Sequence, residues 1–237
     1  MKIKSILLLI GFSIVVLYGA SAFNDKQSEG QYNQQVAVFQ QKSKRVTNFI
    51  GSLVDKATPK TLANIGVTEA EPAPPLVIAA RKQIGVTTKY DPAYVSLKFP
   101  MGDVPMDRGV CTDVVVRAYR QQGKDLQVLV NSDMKQAWSK YPKIWGLKST
   151  DKNIDHRRVP NLRTFFSRHG KSLGVSDNPA DYKAGDLVTW DLSGRPHIGI
   201  VSNRSKNSVP FIIHNIGVGT QENDILFRFK ITGHYRY

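Results

Sequence analysis

From Pro179 onward the chain consists of short apolar runs broken by turn residues, at 186–190, 197–202, 211–214 and 225–231. Each run is rich in β-branched residues and too short for an ordinary buried helix, so each reads as a strand of an antiparallel sheet. Upstream the apolar residues recur at helical spacing instead. A helix over 76–84 stops at Gly85, and another starts at about Cys111, buries one face and ends by Gly123. Further helices are expected at 133–138 and 162–169. Helices first and an antiparallel sheet afterwards predict an α+β domain over residues 76–237, long enough for one core and without internal repeats.

The segments before it read differently. Residues 1–22 carry Lys2 and Lys4, an apolar stretch from Ile6 to Leu17, and the small residues Ala20, Ser21 and Ala22. That is the layout of a signal peptide cleaved after Ala22, with a retained membrane anchor as the alternative. The chain is therefore expected to be exported, to the periplasm or cell envelope. Residues 23–75 are rich in Gln, Ser, Asn and Lys and end in a proline-rich run, which describes a polar stalk or linker. Within it Val46, Phe49, Ile50, Leu53 and Val54 fall on one face of an amphipathic helix at 36–56. Packing on the main domain is the expectation, and contact with a membrane or a partner the alternative.

Charge narrows the partners. Against 33 Lys and Arg stand 19 Asp and Glu, a formal charge of +14, which favours anionic partners. Export and the lack of a binding motif argue against nucleic acid, leaving an anionic cell wall or lipid head groups.

Cys111 is the one cysteine of the chain, so an intramolecular disulfide and any zinc site built on several thiolates are excluded. It is either a small buried packing residue or a reactive one; at a helix start, free N–H groups and the helix dipole would stabilise a thiolate, so a reactive Cys111 is expected to be accessible and of low pKa. A thiol nucleophile needs an imidazole partner, and that imidazole needs an orienting group. His197 follows the turn Ser193-Gly-Arg-Pro196 and His214 ends the next strand, so a hairpin would bring both to one rim of the sheet. His156, His169 and His234 lie in less suggestive contexts. Close metal-ligand spacing is missing, so no metal and no cofactor are expected.

These residues carry a resemblance. Gly185-Asp-Leu-Val-Thr-Trp190, Pro196-His-Ile-Gly-Ile200 and Ile212-Ile-His-Asn-Ile-Gly217 resemble the strand series of the NlpC-type, papain-like cell-wall cysteine peptidases. More narrowly, Tyr90-Asp-Pro-Ala-Tyr94, Met106-Asp-Arg-Gly-Val-Cys-Thr-Asp113, Asn153-Ile-Asp-His-Arg-Arg-Val-Pro-Asn161 and His214-Asn-Ile-Gly217 are similar to an exported bacterial family known as domain of unknown function 1287. The broader resemblance implies a papain-like fold with a nucleophile helix packed on an antiparallel sheet. It also implies a hydrolase of amide bonds in peptidoglycan stem peptides, with Cys111 as nucleophile, His197 as base, His214 as orienting residue and a thioester intermediate. The backbone N–H of Cys111 would be the first oxyanion donor. Tyr90 would line the site, against its simpler reading as a core aromatic. The chain departs from the NlpC pattern in having Val110 and Thr112 beside the cysteine.

Other residues leave alternatives open. Arg108, Arg157 and Arg158 are candidate clamps for substrate carboxylates, or ordinary ion-pair members with Asp107 and Asp155 as partners. Asn215 could replace His214 as orienter, although strand alternation would turn it to the opposite face. Asp186 reads as a brace of the strand turn. The block 126–162, with Trp138 and Trp145, would form one wall of a cleft. Beside the hydrolase stand two other readings: a non-catalytic module that binds cell-wall fragments or an envelope protein, and a thiol acyltransferase.

Overall fold

In a computed structural model of the chain, residues 66–70 and 72–237 are described. The expected signal peptide at 1–22, the helix at 36–56 and most of the stalk lie outside the described residues. Seven strands form one antiparallel sheet: β1 Val67–Glu69, β4 Lys171–Leu173, β5 Leu187–Leu192, β6 Arg195–Lys206, β7 Val209–Asn215, β8 Thr220–Asn223 and β9 Lys230–Arg236. Their order is β4-β9-β5-β6-β7-β8, and β1 pairs with the far end of β6. A separate parallel pair joins β2, Lys89–Tyr90, to β3, Arg108–Gly109. Among the described residues four α-helices accompany them: α1 Pro75–Arg81, α2 Cys111–Arg120, α3 Leu126–Gln136 and α4 Val159–His169. The protein is thus α+β, as its residue pattern predicts. Among the described residues no helix is long and apolar enough to cross a membrane.

Local chemistry accounts for the main strand pair. Ser193 and Gly194 between β5 and β6 both have positive φ, 53° and 86°, the backbone that a two-residue hairpin of right-handed twist requires. Asp191 Oδ1 accepts from the Gly194 N–H at 2.6 Å and closes the turn. The register that follows sets Trp190 opposite His197.

Strand alternation then divides the interior in two. Leu187, Ile198, Ile200 and Ile213 face the helices and pack with Val114, Val115 and Ala118 of α2 and with Val77 and Ala80 of α1. Val188, Trp190, Val201 and Ile212 face the other way and pack with Tyr182, Ile225 and Leu226. Each fully buried isoleucine contributes about 1.5–3 kcal/mol through the water it sheds.

Several element boundaries differ from the sequence expectation. The run 225–231 is not one strand, because Ile225 and Leu226 plug the second core from a turn between β8 and β9, with the Trp190 indole N–H donating to Leu226 O at 2.8 Å. Its β-branched residues register burial, which a loop can supply as well as a strand. The helix expected at 133–138 begins seven residues earlier, at Leu126, because the Asp125 side chain caps it by accepting from the Gln127 N–H at 3.1 Å. Likewise α4 begins at Val159, with Pro160 in its first turn.

Candidate functional site

Cys111 is the first residue of α2, preceded by Val110 in extended backbone. The Val110 N–H donates to Asp113 Oδ2 at 2.7 Å, so the acid three residues on caps the helix where Val110 has no polar side chain to do so. Asp113 is in turn gripped by Arg157, with Nε to Oδ1 at 2.9 Å and a second bond to Oδ2 at 3.0 Å. Arg157 also donates to Ala93 O at 3.2 Å and Asp91 O at 3.4 Å. From the sheet, Asn215 Nδ2 donates to Gly109 O at 2.9 Å, and its Oδ1 accepts from the N–H groups of Gly217 and Gly219. The segment entering Cys111 is therefore held from three sides.

A cleft of about 210 Å³ opens at this point, lined by Cys111, Tyr90, Trp145, Arg157, Arg158 and Pro196 among others. Trp145, Arg157 and Arg158 belong to the block that was expected to form a wall. Trp138 does not line this cleft but a small neighbouring hollow. Tyr90 is 40% exposed, so it is no core aromatic. Burial and the adjacent Cys111 thiol raise the pKa of its phenol, while the positive charge of Arg195 opposes the rise.

The thiol itself corrects an expectation. Cys111 is only 4% exposed, and burial pushes its pKa up to about 12 in spite of the opposing backbone N–H groups of Ile198, Thr112 and Cys111 itself. Loss of water outweighs the helix-start amides, and the Asp113 carboxylate adds to the rise. The thiol is neither accessible nor acidic in this arrangement.

The two candidate histidines do meet. His197 Nε2 lies 2.9 Å from His214 Nδ1, the rings edge to face. His214 Nε2 lies 3.0 Å from Asn223 Oδ1, and the Asn223 amide is oriented by donating to Gln221 Oε1 at 2.9 Å. Asn223 Oδ1 can only accept, so His214 carries its proton on Nε2 and accepts at Nδ1 from the His197 Nε2–H. Nδ1 of His197 is left as the basic nitrogen. Both rings are neutral: burial lowers the pKa of His214 to about 4, and burial followed by the neighbouring His214 holds His197 well below the ordinary value.

Convergence of these histidines with Cys111 is only partial. Ile198 and Ile200 point toward α2, so His197 points to the other face of the sheet, against Trp190 at 5.9 Å between ring centroids. Neither histidine is among the residues lining the cleft, and neither is hydrogen-bonded to Cys111. The two groups approach each other across the β6 backbone, where Ile198, next to His197, presents its N–H to the sulfur.

The arginines are committed elsewhere. Arg108 pairs with Asp107 at 3.1 Å and Asp91 at 3.4 Å. Arg157 is spent on Asp113 instead of the expected Asp155, in a pair almost fully buried on both sides. Arg158 takes Asp155 at 3.3 Å and stacks on Trp145 at 4.1 Å. Each is thus an ion-pair member first, because a carboxylate of the chain lies within reach of each fork. Asn215 does face away from His214 and tethers the cysteine segment. Asp186 is a brace as expected, accepting from the Lys183 N–H at 2.9 Å and from Arg236, and meeting His234 at 2.8 Å. Sequence reasoning missed Asn223, which the β7–β8 register alone delivers, and Asp113, whose place three residues after Val110 was a legible capping signal.

A family model described as Domain of unknown function (DUF1287) matches residues 77–237. The chain belongs to that family. The DUF1287 region begins within α1 and takes in the cleft, the cysteine and both histidines. The chain is also similar to uncharacterized protein YijF of Escherichia coli (strain K12), 53% identical over 188 residues that cover 78% of this chain and 90% of that protein. No solved structure matches.

Proposed function

We propose that this DUF1287 protein is an exported cysteine hydrolase of papain-like, NlpC-type architecture that cleaves amide bonds in peptidoglycan stem peptides. The observation that carries the reading is the placement of a lone cysteine at the start of α2 on an open cleft, with Ile198, the neighbour of His197, against its sulfur. Further support comes from the His197–His214–Asn223 chain, which leaves Nδ1 of His197 as a base of fixed tautomer.

In this mechanism the thiol proton passes to His197 Nδ1 as sulfur attacks the amide carbonyl. The C–N bond breaks, the leaving amine takes the proton from His197, and a thioester remains. Water then attacks the thioester carbonyl and gives its proton to His197. The C–S bond breaks and the thiol is restored. The step requires sulfur and imidazole to come within hydrogen-bond reach when substrate binds, about 3 Å. The raised thiol pKa fits a proton transfer concerted with attack better than a preformed thiolate.

A second reading is favoured by one observation, that the histidines turn to the face opposite α2 and make no hydrogen bond to Cys111. In it the cleft binds cell-wall peptides without cutting them. Incubation of the protein and of its Cys111→Ala variant with intact sacculi, followed by mass analysis of released fragments, separates the two. Cysteine-dependent release of muropeptides is expected. Sedimentation of both proteins with uncut sacculi would replace the hydrolase by the binding module, and transfer of the peptide to an added amine in place of water would make the protein a thiol acyltransferase.

A further inference from the structure

The segment joining α3 to α4 carries a surface that the cleft does not use. From residue 134 to residue 150 the chain has four lysines, Lys135, Lys140, Lys143 and Lys148, and no acid. Within that span the Gly146 N–H donates to Lys143 O at 3.0 Å, closing a β-turn with Ile144 and Trp145 at its two central positions. Ile144 is 70% exposed and lines neither the cleft nor the hollow beside it. Trp145 and Leu147 are each 37% exposed, and both line the hollow, which puts them on the same side of the turn. An isoleucine, a tryptophan and a leucine thus meet water at one turn, a place where polar residues are the ordinary choice.

Contacts with the rest of the domain hold the turn in place. Tyr141 is buried, and its hydroxyl donates to Asp133 at 2.6 Å. Lys143 Nζ lies 3.3 Å from the centre of the Trp138 ring, and Arg158 stacks on Trp145 at 4.1 Å. The acids that these anchors involve are already matched, Asp133 by Arg168 at 2.7 Å and Asp155 by Arg158 at 3.3 Å. Lys135, Lys140 and Lys148 are exposed and have no ion-pair partner among the described residues. The turn therefore presents an apolar tip flanked by positive charge that the chain itself leaves unbalanced.

We propose that this turn, residues 143–148, is a docking surface for an anionic lipid bilayer. Segments that lie on a membrane combine the same parts: apolar residues that enter the acyl boundary, a tryptophan at the level of the head groups, and lysines that meet the lipid charges. A lysine stem can lie along the apolar tip while its ammonium stays among the head groups. Each lysine near such a surface strengthens binding about fivefold, so the charge selects anionic over neutral lipid. A wall polymer would meet the lysines equally well but has no apolar phase to take up Ile144. The proposal stands apart from the hydrolase reading, since Cys111, His197 and His214 all lie outside the turn.

The test uses the full chain and vesicles whose acyl chains are brominated, since bromine quenches an indole that reaches it. One preparation is equimolar phosphatidylglycerol and phosphatidylcholine, and the other is phosphatidylcholine alone. The tryptophans of the chain are Trp138, Trp145 and Trp190, so residues 1–22 are silent in this signal, and the difference between the parent and Trp145→Phe isolates the turn. Trp145 emission should shift to the blue and be quenched on the anionic vesicles, far less on the neutral ones, with the gap shrinking at high salt. Ile144→Asp should abolish the quenching. Lys140→Gln combined with Lys148→Gln should raise the lipid concentration needed for half-quenching by about fivefold for each lysine. Since Ile144, Lys140 and Lys148 are exposed, these variants should melt like the parent. An unquenched Trp145 on anionic vesicles, equal quenching on both preparations, or quenching that survives Ile144→Asp would overturn the proposal. Loss of sedimentation with sacculi in Ile144→Asp, without any vesicle signal in the parent, would also overturn it and give the surface to the cell wall.

Discussion

His197 and His214 share one hydrogen bond, Nε2 to Nδ1 at 2.9 Å, and Asn223 takes the remaining nitrogen of His214. Two neutral, buried imidazoles can pair only if one donates and the other accepts, so the amide of Asn223 sets the protonation of both. Removing it should loosen the tautomers. Asn223→Ala should cost about 1–3 kcal/mol in denaturant titration, because the His214 Nε2–H is left buried without an acceptor. Nitrogen-15 spectra of the imidazoles should show mixed tautomers in the variant and a single pattern in the parent. An unchanged imidazole spectrum would mean that Asn223 does not set the tautomers.

Acid should destabilise the fold through its histidines. Burial depresses His214 to about 4 and His156 to about 3, whereas the unfolded chain titrates near the ordinary histidine value. Between those limits the unfolded state binds more protons than the native state, so stability is fully present above about pH 6.5 and falls as pH drops toward 4. For His214 alone the loss is on the order of 3 kcal/mol. Thermal melts from pH 7 to pH 4 should show it, and His214→Gln should flatten the slope in that range. Equal slopes in parent and variant would exclude the buried ring as a source.

Cys111 should react slowly. With its pKa pushed up to about 12 by burial, it holds little thiolate at neutral pH, so iodoacetamide should label native protein at least about a hundredfold more slowly than urea-unfolded protein. The rate should rise steadily with pH through 9. Rapid labelling with a plateau near neutral pH would instead reveal an acidic thiolate and an open site.

The Asp113–Arg157 pair should matter far more for folding than for charge balance. Both side chains are almost fully buried, and together they cap α2 and hold the segment 91–93. Asp113→Ala should cost about 3–5 kcal/mol by leaving a buried guanidinium unpaired. Arg108→Gln, which disturbs an exposed pair, should cost under about 1 kcal/mol. Similar losses in the two variants would sink this distinction.

Much of the fold is legible along the chain. The short β-branched runs at 187–190 and 197–202, the turn at Ser193 and Gly194, and the helical period from Cys111 to Arg120 are local signals, and local backbone preference plus burial is enough to specify strand, hairpin and helix. That is why the α+β class, the cysteine at a helix start and the neighbouring histidines on one hairpin could all be read directly. The run 225–231 shows the limit, since β-branched residues announce burial without saying whether a strand or a plug provides it.

The relation between elements could not be read in this way. Which face of β6 meets α2 depends on packing the whole sheet, and that choice turned Ile198 to the cysteine and His197 to Trp190. Arg157 met Asp113 instead of Asp155 because the Asp155–Arg157 turn docks on the first turn of α2, a contact between residues more than forty positions apart. Residue type and local period determined what each element is and which groups could do chemistry. Only the tertiary structure decided which groups share a cleft and which charge is left without a partner, because desolvation and ion pairing depend on neighbours that are distant along the chain.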